Sequence, residues 1–532
     1  MAKVRSFFAP ALAIVFVLGG CAVLPPGSDY PKSASSAYPH PELTRLGRQF
    51  DNAGQVHGGH SGYRIIAMGA EGFQLRMQMI DAAERSIDLQ YFIFRGDQSG
   101  LSLTKALLRA ADRGVRLRLL VDDGETKDGD EQLAMLEAHP SIEVRIFNPF
   151  VYRGHSMLIR VLEFGVNASR LDYRMHNKLL AVDNAIALIG GRNIGDQYFQ
   201  IDPQSQFADD DVFAAGPITK QLSATFDDYW NNALSIPAQA LSDNKSRQET
   251  LHAHRRDLRE HDRQTQADGN SQVRQIASGE PLAGIISGRL PLVWAPAQLV
   301  SDSPDKRKVQ EGSALGKLMQ RSVLKVAAAV SGELLMITPY LIPGDEGLQL
   351  LRELRQRKVR VRILTNSLES STVLLAQARY MNYRLPLLES GVELYEIRSL
   401  LGNARGSGQT AAISRYGNYS LHAKLFVFDR RKLFIGSMNF DQRSMHLNTE
   451  IGLIIDSPVL AQQVAARFEA MVQPANSYRL ALRRREVMGT LSLEWHTRED
   501  GKPVVLDREP GRSDWQRLKA NALSLLPVDD EL

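Results

Sequence analysis

The residues of this chain most suited to chemistry are a histidine and a lysine two positions apart, and this pair occurs twice. His176 and Lys178 form the first pair, and His422 and Lys424 form the second, 246 positions later. An imidazole can act as a nucleophile or an acid near neutral pH, and a lysine can hold the oxygens of a phosphodiester. Two such pairs facing each other could therefore transfer a group through its phosphorus atom, with one histidine attacking and the other protonating the leaving alkoxide.

The residues around each pair predict the element that carries it. An apolar, β-branched or aromatic run follows each histidine, which predicts a strand on which the histidine and lysine side chains share one face. Asp183 and Asp429 lie seven residues after their histidines, or roughly 23 Å along an extended strand, at positions that favour a tight turn. We therefore expect a hairpin that brings Asn193 and Asn439 back to the level of the histidines. On this geometry the site consists of histidine, lysine and asparagine, and each aspartate has a structural role at the far end.

The two motifs belong to a longer internal repeat. Strand and helix patterns alternate in both halves, which predicts an α/β fold with mixed sheets. The strand pattern at residues 115–120 recurs at 359–364, an offset of 244 positions that is close to the 246 between the histidines. A near-constant offset over several elements predicts a duplicated domain.

These paired motifs resemble the HKD motifs of the phospholipase D superfamily. The resemblance runs from about Arg64 to the last residues, and the segments 145–150 and 365–396 resemble the cardiolipin synthase branch, above all its shorter, C-type bacterial members. It implies two phospholipase D-like α/β/α sandwich domains related by a pseudo-twofold axis, with one active site at their interface. The motif residues that it implies as catalytic are His176, Lys178, Asp183, His422, Lys424 and Asp429. The phosphate would be bound by Lys178, Asn193, Lys424 and Asn439.

In that family an acidic residue after each motif orients the second ring nitrogen of a catalytic histidine. Asp209 or Asp211 is the candidate in the first half, and Glu450 is the candidate in the second half. The alternative for the acidic run 209–211 is a solvated loop.

The function that the resemblance implies is that of a phosphatidyltransferase. It would form cardiolipin from phosphatidylglycerol and a second phospholipid, either phosphatidylglycerol or phosphatidylethanolamine, through a phosphohistidine intermediate. His176 is the preferred nucleophile and His422 the preferred acid. A hydrolytic phospholipase D that releases phosphatidic acid would use the same residues, and a secreted nuclease is a third alternative. Membrane phospholipids are the expected partners, nucleic acid is not expected, and no metal or other cofactor is needed because the lysines supply positive charge.

The N-terminal residues predict export and membrane anchoring. Lys3 and Arg5 precede an apolar run at residues 7–18, which is typical of a signal peptide, here 1–20. Cys21, the only cysteine, resembles the lipidated cysteine of a bacterial lipobox, and Ala22 after it resembles lipoproteins sent to the outer membrane. We expect a lipoprotein of the cell envelope that faces the periplasm, with residues 21–60 as a flexible tether.

Composition and patterning predict the remaining boundaries. The expected first domain is 61–240, followed by a charged linker or insertion at 241–285, a second domain at 286–480 and a C-terminal extension at 481–532. The net charge of +4 over 532 residues is too small to indicate nucleic-acid binding. Apolar residues at helical spacing from Trp515 to Leu526 predict an amphipathic helix, either on a membrane surface or packed against the second domain.

Overall fold

The computed structural model describes residues 28–526, with gaps at 125–129, 153–155, 203, 242–250, 254, 257–259, 261–278, 308–318, 401–417 and 485–490. The expected signal peptide 1–20, the lipidation site Cys21 and most of the charged segment 241–285 lie outside the described residues. No helix among the described residues is long and apolar enough to span a bilayer.

Strands and helices alternate through most of both halves. The helices are α1 Arg45–Val56, α2 Gly69–Ala82, α3 Gln98–Asp112, α4 Asp130–Glu137, α5 Met157–Val166, α6 Ala168–Leu171, α7 Ile218–Trp230, α8 Pro281–Ile286, α9 Met319–Ala328, α10 Gly344–Gln356, α11 Leu374–Glu389, α12 Gln442–His446, α13 Pro458–Met471 and α14 Asp514–Leu523. The strands are β1 Ser61–Ile66, β2 Ser86–Tyr91, β3 Arg116–Asp122, β4 Ile142–Phe147, β5 Leu179–Val182, β6 Ile186–Gly190, β7 Ser205–Ala208, β8 Asp211–Ala215, β9 Ser235–Pro237, β10 Val293–Ala295, β11 Ala297–Ser301, β12 Glu333–Ile337, β13 Arg360–Asn366, β14 Glu393–Ile397, β15 Asn418–Leu421, β16 Leu425–Phe428, β17 Lys432–Gly436, β18 Ile451–Asp456, β19 Ser477–Arg484, β20 Leu491–Glu499 and β21 Lys502–Leu506.

The two halves contain mixed sheets in which eight strands follow the same order, with β10 added to the first sheet and β20 and β21 added to the second. The first sheet runs β10-β1-β8-β6-β5-β2-β3-β4-β9, and the second runs β11-β18-β17-β16-β12-β13-β14-β19-β20-β21. Strands β2, β3 and β4 are parallel, as are β12, β13 and β14, whereas the motif hairpins β5–β6 and β16–β17 are antiparallel. The predicted duplication of an α/β domain with a mixed sheet is confirmed.

Three apolar clusters order the layers. One cluster packs α1–α4 against the first sheet, and another packs α9–α11 against the second sheet. Leu46 and Phe50 of α1 are buried in the first of these clusters, so the expectation that residues 21–60 form a flexible tether is wrong for the segment of α1, which belongs to the first domain. The third cluster lies between the sheets and includes Leu222 of α7, Val464 of α13, Ala181 of β5 and Val427 of β16. Because this central cluster draws on both halves, the hydrophobic effect holds the two sandwiches face to face.

Tight turns close both motif hairpins as the sequence predicts. Asp183 and Asn184 have φ values of 53° and 52°, and Asp429 and Arg430 both have 51°. Two consecutive residues with positive φ make the type I′ geometry, which suits the twist of a two-residue hairpin and favours Asp and Asn.

The chain passes from one sheet to the other at Pro296. Strand β10 pairs with β1 in the first sheet, and β11 pairs with β18 in the second.

Beyond residue 481, β20 and β21 extend the second sheet at its edge. Helix α14 packs against the same half, where Gln516 Nε2 donates to the carbonyl oxygen of Leu368 at 2.8 Å, while Trp515 stays exposed.

Candidate active site

The two motifs meet at a cleft between the halves. The cleft has a volume of about 570 Å³, and His176 and His422 both line it. Asn193 and Asn439 line the same cleft, so each hairpin returns its asparagine to the level of the histidines. Aromatic and polar side chains complete the wall, among them Phe92, Arg95, Tyr198, Phe207, Tyr340, Asp441, Arg443 and Asn448.

Each motif histidine is fixed through its backbone to the opposite half. The N–H of His176 donates to the carbonyl oxygen of Thr449 at 2.9 Å, and the N–H of His422 donates to that of Ala208 at 2.8 Å. Just before His422, β15 pairs in parallel with β7 of the first half. The two imidazoles are therefore positioned by backbone contacts that exist only when the halves are joined.

Each imidazole is also oriented by a carboxylate of the opposite half. His176 Nδ1 lies 2.9 Å from Glu450 Oε2, and His422 Nδ1 lies 2.6 Å from Asp209 Oδ2. A carboxylate at Nδ1 fixes the tautomer in which that nitrogen carries the proton, and leaves Nε2 for chemistry. Between the two candidates of the first half, the structure places Asp209 at the histidine.

Asp211 has a different role from the one considered for it. Its carboxylate accepts from Arg76 Nη1 at 3.0 Å and Arg192 Nη1 at 3.1 Å, so it orients no histidine. The alternative of a solvated acidic loop is also wrong, because Asp209, Asp210 and Asp211 are all buried. Their charge is balanced by buried arginines, including Arg467, which pairs with Asp210.

The motif aspartates lie at the turns of their hairpins and do not line the cleft. Asp183 accepts from the backbone N–H groups of Glu84, Arg85 and Ser86 at 2.9, 2.7 and 2.9 Å. Asp429 does the same for residues 331–333 at 2.7–3.0 Å. Each carboxylate thus ties its hairpin turn to the entry of the neighbouring strand, at the end of the hairpin away from the histidine.

The two lysines bring buried positive charge to the site. Lys178 and Lys424 are both buried, and their Nζ atoms donate to the carbonyl oxygens of His176 and His422. Among the described residues neither lysine has a carboxylate within salt-bridge distance, and burial lowers the pKa of Lys178 to about 7 and of Lys424 to about 8. Buried ammonium groups without a carboxylate partner favour an anionic ligand such as a phosphate.

Within the described ranges, no cluster of three or more His, Cys, Asp or Glu side chains is placed to hold a metal ion.

Burial and charge make the histidines neutral bases at pH 7. Burial, followed by the charges of Lys178 and Lys424, holds the pKa of His176 well below its usual value. Burial also lowers the pKa of His422 to about 3, with Lys424 acting in the same direction and Asp209 against it. The pKa of each histidine is lowered by the lysine of the other half as well as by its own, so the charges of the two motifs act on one shared site.

The two asparagines differ in how they are held. Asn193 accepts from the backbone N–H of Ile93 at 3.1 Å and donates Nδ2 to the Tyr198 hydroxyl at 2.9 Å. The Oδ1 atom of Asn439 is buried and has no hydrogen-bond partner among the described residues. Its Nδ2 also makes no hydrogen bond among the described residues, so this group can donate to a ligand in the cleft.

Sequence reasoning missed the aromatic walls of the site. The Phe92 ring lies 5.1 Å from the His176 ring, and Tyr198 and Phe207 each lie 5.2 Å from the His422 ring, measured between centroids. Phe92 follows β2 directly, but no spacing pattern connects it with a histidine 84 positions away. These rings exclude water from the histidines and so contribute to their lowered pKa values.

Fold and site together define an enzyme of the phospholipase D type. The domain family described as "Cardiolipin synthase, PLD-like domain" matches residues 77–230 and 324–472, and the chain belongs to this family of phospholipid-modifying enzymes. Cardiolipin synthase C of Escherichia coli K12 is 36% identical over 482 residues, which cover 89% of this chain and 96% of the relative. The major cardiolipin synthase ClsA of Bacillus subtilis is 24% identical over 76% of this chain and 67% of its own length. The crystal structure of phosphatidylserine synthase from Haemophilus influenzae shares the fold, with a TM-score of 0.51 and 15% identity over 81% of this chain and 92% of that one.

Proposed function

We propose that this enzyme is a cardiolipin synthase that transfers a phosphatidyl group to phosphatidylglycerol. The observation that carries the proposal is the pairing of His176 with Glu450 and of His422 with Asp209 across one cleft. Two buried lysines without carboxylate partners among the described residues add an anion-binding character that suits a phosphodiester. The 36% identity to cardiolipin synthase C of E. coli supports the same substrate class.

In the first step, Nε2 of His176 attacks the phosphorus of the donor phospholipid. The bond from phosphorus to the headgroup oxygen breaks, and His422 protonates that oxygen as the alcohol leaves. The phosphatidyl group is then held as a phosphohistidine. Lys178, Lys424 and Asn439 hold the non-bridging oxygens, where negative charge grows in the transition state.

In the second step, a glycerol hydroxyl of phosphatidylglycerol attacks the same phosphorus. His422 now removes the hydroxyl proton, the phosphorus–nitrogen bond breaks, and cardiolipin is released. The donor is either a second phosphatidylglycerol or phosphatidylethanolamine, since both present the same phosphodiester to this site.

The partner carboxylates support the assignment of roles. Burial raises the pKa of Glu450 to about 7, and burial with the charges of Lys178 and Lys424 holds the pKa of His176 well below its usual value, so His176 stays neutral, as a nucleophile must. Burial alone would raise the pKa of Asp209, but His422, Lys424 and Arg192 outweigh it and keep the carboxylate ionised. An ionised Asp209, together with an incoming phosphate that offsets the lysines, favours the imidazolium form of His422 that a general acid requires.

The test is product analysis with the purified full-length protein and defined phospholipids in mixed micelles. Phosphatidylglycerol alone, and phosphatidylglycerol with isotope-labelled phosphatidylethanolamine, are supplied separately, and products are identified by mass spectrometry. Cardiolipin that depends on both His176 and His422 supports the proposal, and the labelled donor shows which phospholipid is used. Phosphatidic acid without cardiolipin would instead establish a hydrolytic phospholipase D, and cleavage of plasmid DNA would establish a nuclease.

We further propose that Cys21 carries the membrane anchor of a periplasm-facing lipoprotein. The support is the lipobox-like sequence before Cys21 and the Pro-, Ser- and Gly-rich segment after it. Metabolic labelling with a clickable fatty acid should mark the protein and should fail with the Cys21→Ser variant. Labelling that survives this substitution would overturn the assignment.

A further inference from the structure

Helix α5 exposes the side chains that a water-facing helix would bury. Leu158, Leu162 and Val166 are 69%, 61% and 83% exposed, and Ile159, Val161 and Phe164 are exposed as well. A helix on the surface of a soluble domain normally turns its apolar stripe to the core and its charged residues to water. In α5 this polarity is reversed.

The two charged side chains of α5 point toward the protein. Glu163 accepts from the backbone N–H groups of Val151 and Tyr152 at 2.6 and 2.9 Å. Arg160 donates Nη2 to the carbonyl oxygen of Asp123 at 2.9 Å. These hydrogen bonds fix the rotation of the helix, so the outward apolar face is a built feature of the domain.

Two short chains of contacts connect α5 and the segment after it with the catalytic cleft. Asp123, which holds Arg160, follows Asp122, and the Asp122 carboxylate accepts from the N–H of Met175 at 2.8 Å. Met175 is the residue before His176. On the other side, Asp172 after α6 accepts from Arg443 at 2.7 Å, and Arg443 lines the cleft.

We propose that the outward face of α5 docks on a phospholipid bilayer and inserts at the headgroup level. This inference rests on the proposed function, because the acyl chains of both substrates stay in the bilayer and their phosphorus atoms lie near its surface. An apolar helix connected with the cleft places the histidines at that depth without extracting a lipid.

The first experiment measures insertion at one position of the helix. The full-length chain with Cys21→Ser and Leu162→Cys receives an environment-sensitive fluorophore, and Leu43→Cys in the same background is the control, since Leu43 is 58% exposed and lies outside the cleft wall. With phosphatidylcholine–phosphatidylglycerol vesicles, we expect the emission from position 162 to rise at least about threefold and to be quenched by nitroxide lipids. Unchanged emission from position 162, or an equal rise at position 43, would overturn the proposal. This outcome does not depend on how the N-terminus is anchored.

The second experiment separates docking from catalysis. Leu158→Asp combined with Leu162→Asp should lower cardiolipin formation on phosphatidylglycerol vesicles at least about tenfold, because both leucines lose their apolar contact with lipid. With monomeric dihexanoyl-phosphatidylglycerol the same variant should keep its rate within about twofold. An equal loss on both substrates, or a wild-type dimer that this variant abolishes, would overturn the docking proposal. A wild-type protein that makes no cardiolipin from either substrate would instead refute the proposed function.

Discussion

The two histidine pockets have the same backbone plan but different electrostatic surroundings. The sheet register makes their acids equivalent, because Gly190 pairs with Asp211 and Gly436 pairs with Gly452, so Asp209 and Glu450 each lie two residues before a matched position. Asp209 lies among charges, next to Arg192 and the Asp210–Arg467 pair. Around Glu450 the equivalents of Arg192 and Asp210 are Met438 and Ile451, and the carboxylate accepts from the hydroxyls of Ser437 and Ser444. The charged groups on this side are the buried Asp302–Lys306 pair, and the N–H of Glu450 donates to Asp302 at 3.0 Å.

This difference teaches how a symmetric duplication can support two chemical roles. One acid has its pKa held below the ordinary value by neighbouring positive charge, and the other has its pKa raised by burial to about 7. In the proposed mechanism, the ionised Asp209 would favour the protonated form of His422 that donates to the leaving group, whereas His176 would act as the neutral nucleophile.

Removal of either imidazole should have the largest effect. His176→Ala and His422→Ala should each lower cardiolipin formation by about 1,000-fold or more, since the first removes the nucleophile and the second removes the general acid.

A phosphatidyl donor with a p-nitrophenol leaving group distinguishes the two roles, because this leaving group needs no proton. His422→Ala should still release one equivalent of p-nitrophenol from this donor, and His176→Ala should release none. The reverse result would exchange the two roles. His139→Ala is the matched control, because His139 is also 7% exposed and contacts a carboxylate, that of Asp112, but lies outside the cleft wall.

The second-largest effect should come from replacing Asp209 and Glu450 by their amides, and the loss of kcat should differ between the two pockets. Both Asp209 oxygens accept from donors, His422 Nδ1 at 2.6 Å and the N–H of Asp210 at 2.8 Å, so one donor would face an NH₂ group in Asp209→Asn. The serine hydroxyls around Glu450 can turn and accept from an amide, so Glu450→Gln should be tolerated better. We expect kcat to fall about 100-fold or more for Asp209→Asn and about tenfold for Glu450→Gln. An equal fall in kcat for the two variants would contradict this prediction and would show that the two carboxylates have the same role.

Substitution of the motif aspartates Asp183 and Asp429 should lower the stability of the fold and leave kcat almost unchanged. Asp183→Ala leaves one buried and two partly buried backbone N–H groups unpaired and should lower the free energy of unfolding by about 2–3 kcal/mol. Asp429→Ala should cost about 1 kcal/mol, because its backbone partners are exposed and can bind water. Denaturant titration measures both, and kcat per folded molecule should change less than about twofold. A large fall in kcat of folded Asp183→Ala would restore the catalytic role.

The smallest effect concerns pH and stability. The pKa of Glu450 is about 7 in the folded chain against an ordinary 4.5, so the folded state binds more protons between these pH values. Stability due to this group is therefore present below pH 4.5 and is lost as the pH rises to 7. Relative to Glu450→Gln, the wild type should lose about 1–2 kcal/mol between pH 5 and pH 8, as measured by denaturant unfolding. Asp209→Asn should not show this dependence, because the pKa of Asp209 is lowered.

Local patterns predicted the hairpins and the site residues that they carry. The i, i+2 spacing of His176 and Lys178, the turn at Asp183 and the return of Asn193 depend on a few consecutive residues and on standard strand geometry. The choice between Asp209 and Asp211 could not be made in this way, because residues two apart share a strand face and only the pairing of the halves decides between them. The outward face of α5 was equally hidden, since its apolar sequence is typical of a core helix.

The parallel pairing of β15 with β7 also determines when the enzyme can first act. These strands are more than 200 residues apart, and His422 reaches its working position only after both have been synthesised and joined. A nascent chain that has released only its first half carries only one of the two motif histidines, His176, and lacks the Glu450 carboxylate beside it. An incomplete polypeptide of this kind could not carry out the proposed transfer.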